Sequence, residues 1–201
     1  MPADQAIEAR RTAALGMWVF LASEVLMFGA LFMALAVCRW LNADSWRQAS
    51  ADLHLWMGTG NTAILLTSSL IMALAVMWAR RRHGRGTAGL LAATTLLGLA
   101  FLAVKGTEYW LEWRDGLMPG LGSGSALAGP GATLFFQLYF LATGLHALHL
   151  ALGCLATGTL AVVTLRRGPA DVPTEMIGLY WHFVDVVWVF LFPIFYLAAP
   201  R

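Results

Sequence analysis

The stretch AALGMWVFLASEVLMFGALFMALAVC, Ala13 to Cys38, decides the fold of this chain. It contains 26 residues of almost unbroken apolar sequence, with one carboxylate, Glu24, near its middle. A helix of this length crosses the ~30 Å hydrocarbon core of a bilayer at ~1.5 Å per residue, which places Glu24 at membrane depth. An ionisable group there is costly and is usually tolerated only when it faces a protein interior, a partner or a water-filled cavity. Glu24 is therefore a candidate functional residue.

The composition indicates a protein that crosses the membrane several times. Of its 201 residues, 59% are hydrophobic and only 12% are charged, whereas soluble domains carry about 25% charged residues. The net charge of +2 provides no basic face for nucleic acid. Two cysteines are too few for a disulfide framework, and Cys38 and Cys154 lie at different predicted depths, so we expect both to be packing residues. The N-terminus lacks the cleavage pattern of a signal peptide, so we expect the first span to be retained.

Hydropathy predicts an all-α integral membrane protein with five transmembrane helices, at about 13–38, 57–79, 88–110, 133–165 and 177–199. The fourth span has 33 residues and must tilt or project beyond the bilayer. Because the connections are short, we expect residues 1–201 to form a single membrane domain. The connection after the first span carries three tryptophans that we expect at the headgroup level, as an aromatic belt: Trp40, Trp46 and Trp56.

The basic residues predict the orientation. Segments on the side of the N-terminus hold eight of the 13 Lys and Arg residues: Arg10, Arg11, Arg80, Arg81, Arg82, Arg85, Arg166 and Arg167. Segments on the other side hold four: Arg39, Arg47, Arg114 and Arg201. Positive residues concentrate on the cytoplasmic side of membrane proteins. We therefore expect a cytoplasmic N-terminus and a periplasmic C-terminus.

Two groups of polar residues in the spans have ordinary structural interpretations. Thr67, Ser68 and Ser69 are expected to return hydrogen bonds to the preceding helical turn or to join neighbouring helices. Lys105 and Glu108 are three residues apart on one helix face, near the outer end of the third span. They can form a structural ion pair, and Lys105 can extend its ammonium towards the interface.

The histidines are the candidates for metal binding. His146 and His149 share one face of the fourth span, and His182 and Asp185 share one face of the fifth. A haem with two histidine ligands could use His146 or His149 together with His182, provided that they meet at the same depth. No Glu is followed by His at the spacing of a di-iron carboxylate site. Hydrogen bonding between these histidines and Asp or Glu on other helices is the favoured interpretation.

Short motifs in every span resemble subunit III of the haem-copper oxidase superfamily, in its short five-helix bacterial form. They occur in the family's order: SEVLMFGALF at 23–32, NTAILLTSS at 61–69, KGTEYW at 105–110, ATGLHALHLALG at 142–153 and YWHFVDVVWVFLF at 180–192. The last of these is the most specific. Lys105, the LLTSS motif and the ending FPIFYL look more like the accessory protein of bacterial nitric oxide reductases.

The resemblance implies roles for particular residues. Glu24 matches the family's membrane-embedded, carbodiimide-reactive glutamate, and when buried it would be protonated or hydrogen-bonded. We expect its partner to be His149, which lies at a similar depth. Arg166 resembles a position that meets a lipid phosphate. A polar network within the bundle would comprise Glu108, His146, His149, His182 and Asp185.

The resemblance also implies a function. The expected protein is a non-catalytic subunit III in a bacterial plasma membrane, with no metal, cofactor or catalytic centre of its own. It would pack on subunit I, which carries haem and copper, beside subunit II, and it would bind phospholipid and support proton uptake and stability during aerobic electron transport. The alternatives are the accessory subunit of a nitric oxide reductase, a membrane cytochrome with two histidine haem ligands and, with weaker support, a small transporter.

Overall fold

The computed structural model describes residues 3–118 and 129–198, which form six α-helices. The helices are α1 Ala3–Leu41, α2 Ala43–Ala51, α3 Leu55–Arg80, α4 Gly84–Arg114, α5 Pro130–Arg167 and α6 Asp171–Tyr196. All except the short α2 are long and apolar enough to cross a membrane. The five predicted spans are therefore confirmed. Ala199, the predicted end of the fifth span, and Arg201 lie outside the described residues.

Helices α3 to α6 form a four-helix bundle in which each helix packs against two neighbours. Helix α4 contacts α3 and α5, while α6 contacts the same two helices from the opposite side. Helix α1 lies outside the bundle, mainly against α6. Only 17% of the most apolar window of α1 is buried, against 28–44% in the other spans. The bundle is thus the core of the protein, and α1 is a peripheral helix with a large exposed apolar face.

Small residues allow the bundle helices to approach closely. A Cβ atom added to Gly98 of α4 would lie 2.6 Å from Cys154 Sγ on α5 and 2.7 Å from Trp181 Cη2 on α6. One added to Gly58 of α3 would lie 2.8 Å from the Tyr196 ring. Close packing of this kind is a main source of helix association where lipid removes the hydrophobic driving force. Cys38 and Cys154 are both free thiols, as expected.

The connection between the first two spans contains a helix, α2, that hydropathy did not predict. The segment that hydropathy left between the first two spans contains a nine-residue helix that lies across the ends of α5 and α6. The predicted position of Trp46 is wrong, because its side chain is 1% exposed and packs against Phe135 and Phe195. Trp40 and Trp56 are 81% and 87% exposed, as residues of a headgroup belt would be.

The function of α2 within the fold is to close the end of α6. The last carbonyl groups of a helix have no intrahelical donor. In α6 two of them accept hydrogen bonds from α2: Trp46 Nε1 donates to the Ile194 carbonyl over 3.1 Å, and Ser50 Oγ donates to the Phe195 carbonyl. Helix α2 therefore holds the C-terminal end of α6 in place, next to the buried charges described below.

The opposite end of the bundle is held by ion pairs. Glu175 of α6 accepts hydrogen bonds from Arg10 of α1 at 2.7 and 2.8 Å and from Arg80 of α3 at 2.8 Å. Arg82 lies 3.8 Å from Asp171. The helix directions place all eight arginines of the N-terminal side at this end. The unequal distribution of arginines along the sequence thus becomes an unequal distribution between the two ends of the folded bundle.

Candidate functional site

Glu24 of α1 meets His149 of α5 across a gap between the two helices. Glu24 Oε2 lies 2.9 Å from His149 Nε2, and the side chains are only 14% and 12% exposed. The expected contact between Glu24 and His149 is therefore confirmed. It is a polar link between the peripheral helix and the bundle, in the middle of the apolar segment that places Glu24 at membrane depth.

The hydrogen bonds of His149 determine how many protons its contact with Glu24 needs. Its Nδ1 lies 2.8 Å from the Leu145 carbonyl, which can only accept, so Nδ1 carries a hydrogen. In a neutral ring Nε2 would then be an acceptor, as is a carboxylate oxygen. The 2.9 Å contact consequently requires one further proton, either on the Glu24 carboxyl or on His149 Nε2. The pair can hold that proton on either partner.

Aromatic side chains of α1 and α6 pack around His149. Phe28 packs edge-on to the His149 ring at 5.2 Å and contacts Phe183 at 5.9 Å. Tyr180 donates a 2.8 Å hydrogen bond from its hydroxyl to the His149 carbonyl. These contacts fix the backbone and ring of His149, so that the position of the imidazole does not depend on Glu24 alone.

A second polar cluster lies within the bundle, around Lys105 of α4. The Lys105 side chain is 2% exposed, and Nζ donates to Glu108 Oε2 at 2.9 Å, Tyr139 Oη at 2.6 Å and Tyr196 Oη at 2.7 Å. The expected Lys105–Glu108 pair is confirmed. The expectation that Lys105 could extend to the interface is wrong, because three buried acceptors satisfy all three ammonium hydrogens.

The tyrosines extend this cluster to α5 and α6. Tyr196 donates to Glu108 Oε1 and Tyr139 donates to Glu112 Oε1, both at 2.7 Å. We call the set of Lys105, Glu108, Glu112, Tyr139 and Tyr196 the lysine cluster. Three of its members were missed in the sequence. Glu112 had a signal, because it is four residues after Glu108 and seven after Lys105, on the same helix face.

The other histidines of the spans have different surroundings and are not brought together as a pair. His182 Nδ1 lies 2.8 Å from Ser69 Oγ of α3. His182 also lines an open groove of about 290 Å³ between α3 and α6 that includes Arg80 and Glu175. His146 is fully buried between the rings of Phe101 and Trp188.

Of the three histidines considered as haem ligands, two are held by hydrogen bonds to side chains of other helices: His149 and His182. Within the described ranges, 3–118 and 129–198, there is no group of three or more His, Cys, Asp and Glu side chains that could hold a metal ion. Asp185 is buried, at 4% exposed, and its carboxylate has no hydrogen-bond partner among the described residues.

The remaining predicted polar positions divide into local and interhelical contacts. Thr67 and Ser68 bond back to the carbonyls of Ala63 and Leu65, each at 2.8 Å, as expected. Ser68 also accepts a 3.1 Å hydrogen bond from Trp181 Nε1 and so joins α3 to α6.

Arg166 is exposed in the last turn of α5. No carboxylate among the described residues lies within ion-pair distance of Arg166.

Comparison with known proteins identifies a family that matches almost the whole chain. Residues 3–199 match the family described as Cytochrome c oxidase subunit III. The chain is 31% identical over 202 residues to cytochrome c oxidase subunit 3 of Thermostichus vulcanus, which covers 98% of this chain and 92% of the relative. It is 29% identical over 188 residues to a probable quinol oxidase subunit 3 of Staphylococcus aureus, with 92% and 88% covered.

A longer relative is the heme-copper oxidase subunit I+III of Aeropyrum pernix, which is 34% identical over 191 residues. That alignment covers 90% of this chain but only 22% of the relative. The fold is that of a multi-pass membrane protein of a respiratory oxidase. The chain belongs to the cytochrome c oxidase subunit III family and is a subunit III of a haem-copper oxidase.

Replacing Lys105 tests the importance of the lysine cluster for stability. We expect Lys105→Met to lower the free energy of unfolding by about 3–5 kcal/mol, because it leaves buried carboxylates without their counter-charge. Unfolding in mixed detergent micelles measures the change. Arg114→Met is the matched control, since Arg114 is on the same helix but exposed. Equal effects of the two substitutions would contradict a structural role for the buried ammonium.

Proposed function

We propose that this chain is the non-catalytic subunit III of a bacterial respiratory haem-copper oxidase, assembled with the catalytic subunit I and with subunit II in the plasma membrane. The match to the subunit III family over residues 3–199 is the observation that carries the proposal. The relative named subunit I+III, of which this chain matches 22%, supports an association between subunits of these two types. The haem and copper would belong to subunit I.

Within this function, the Glu24–His149 pair is the candidate for a role in proton uptake. Its geometry requires one proton that either partner can hold, and its side chains are partly accessible between α1 and α5. A group that supplies protons to a neighbour needs both properties, whereas the carboxyls of the lysine cluster are closed off by the bundle. Glu108 is 0% exposed and Glu112 is 3% exposed. The pair is thus better placed than the cluster to exchange protons.

Arg166 is the candidate for lipid binding. It is exposed at the end of α5, next to Arg167, and no described carboxylate neutralises it. A guanidinium at the end of a membrane span suits the phosphate of a phospholipid headgroup. The arginine-rich end of the bundle would face the cytoplasm, with the N-terminus inside and the C-terminus in the periplasm, because positive residues concentrate on the cytoplasmic side.

Co-purification tests the proposed assembly. The chain is tagged at an end, the membranes are solubilised in mild detergent, and the bound proteins are identified by mass spectrometry. We expect subunits I and II of an oxygen-reducing haem-copper oxidase. Recovery of nitric oxide reductase subunits instead would identify the accessory protein of that enzyme and overturn the oxidase assignment. A tagged chain with no partner in stoichiometric amount would contradict the assembly as a whole.

Carbodiimide labelling tests whether Glu24 is an accessible carboxyl that can carry a proton. A hydrophobic carbodiimide should label the wild-type chain, because the carboxyl is accessible from the apolar side and can carry a proton. Glu24→Gln should abolish the labelling while assembly and turnover persist. Asp185→Asn is the matched control, since Asp185 is a membrane-embedded carboxyl that is only 4% exposed, and it should leave the labelling unchanged. Strong labelling of Glu24→Gln would remove Glu24 from the site.

A further inference from the structure

Four of the buried polar atoms without a hydrogen-bond partner among the described residues belong to two side chains in the core of the bundle. They are Oδ1 and Nδ2 of Asn61 on α3, and Nδ1 and Nε2 of His146 on α5. Both side chains are 0% exposed. Buried amide and imidazole groups in native proteins are hydrogen-bonded, to ordered water where no protein group is in reach. These residues serve neither the Glu24–His149 pair nor the lysine cluster.

His146 packs against the indole of Trp188 on α6, and Asn61 precedes the residue of α3 to which that indole is hydrogen-bonded. The His146 ring centroid is 5.3 Å from that of Trp188. Trp188 Nε1 donates a 3.0 Å hydrogen bond to the hydroxyl of Thr62, the residue that follows Asn61. Three helices thus bring an amide and an imidazole to the depth of the same indole, in the interior of the bundle.

Two polar groups close to the Trp188 ring are already engaged by other partners. The Thr62 hydroxyl donates to the Gly58 carbonyl over 2.8 Å as well as accepting from Trp188. Lys105 Nζ, 5.5 Å from the Trp188 ring, has three oxygen acceptors within the lysine cluster. The protein therefore offers Asn61 and His146 no free donor or acceptor from these neighbours.

The chemistry of the four atoms selects their partner. Asn61 presents an acceptor oxygen and a donor NH₂, and a neutral imidazole presents one donor and one acceptor nitrogen. A metal ion would satisfy only the two acceptors and would leave the amide NH₂ and the imidazole N–H without partners. Water both donates and accepts, and it needs only about 10–15 Å³ of space and two to four polar partners.

We propose that the region around the Trp188 indole is an internal hydration site, where water molecules bind Asn61 and His146 inside the four-helix bundle. The site places exchangeable hydrogen-bonding groups beside the lysine cluster, at a depth where the lipid outside offers none. It stands independently of the proposed assembly with subunits I and II, because it rests only on residues within α3, α5 and α6.

X-ray radiolytic footprinting of the full chain, alone or in its complex, tests this site. Radiation generates hydroxyl radicals from bound water, and these oxidise adjoining side chains, which mass spectrometry quantifies. Trp188 and Trp181 are equally buried, at 1% and 0% exposed. Trp181 is the reference, because its indole donates to Ser68 and all side-chain polar atoms of these two residues have partners. We expect oxidation of Trp188 to be several-fold faster than that of Trp181. Equally slow oxidation of both would overturn the proposal.

Two variants connect the signal to its proposed ligands. The double variant Asn61→Leu and His146→Leu should lower the oxidation of Trp188 to the level of Trp181. Thr157→Val is the control, because Thr157 is a 0% exposed polar residue whose hydroxyl already has protein partners, and it should leave Trp188 oxidation unchanged. Oxidation of Trp188 that persists in the folded double variant would also overturn the proposal. If that variant does not fold, the wild-type comparison of the two tryptophans decides.

Discussion

The absence of water from the bilayer core is the constraint on which the structure depends, because every polar group of the spans needs a partner inside the protein. Lys105 shows the consequence most clearly. Its ammonium is buried at 2% exposed and donates to groups from α4, α5 and α6. Helix α2 closes the adjoining end of α6 through Trp46 and Ser50. The buried charge and the helix cap therefore hold one end of the bundle in a single arrangement.

The same constraint gives the two carboxyl sites different surroundings. The acids of the lysine cluster are closed within the bundle and bound to a fixed cation, which suits a structural role. Glu24 instead lies on the peripheral helix α1, against a histidine that belongs to α5, with 14% of its side chain exposed. Its contact requires one proton that can reside on either partner. We therefore propose that this pair, and not the lysine cluster, exchanges protons.

Hydropathy was sufficient to predict the five spans, because the cost of exposing polar groups to lipid accumulates over ~20 residues in each helix. The pairing of Glu24 with His149 was also predictable, from depth alone. Helix α2 was missed since nine residues between spans produce no hydropathy signal. Tyr139 and Tyr196 counted as apolar residues, although their hydroxyls complete the lysine cluster. Their contribution depends on which helices are neighbours, and the sequence pattern does not contain that information.

Two of the histidines in the spans are held by side chains of other helices, and we propose that the chain holds no redox centre. His149 is engaged by Glu24 and His182 by Ser69, each at 2.9 Å or less. The most direct test is the visible absorption spectrum of this chain, expressed with haem supplied and purified without its partners. The account predicts no Soret band. A stoichiometric Soret band that disappears in His182→Ala would contradict it.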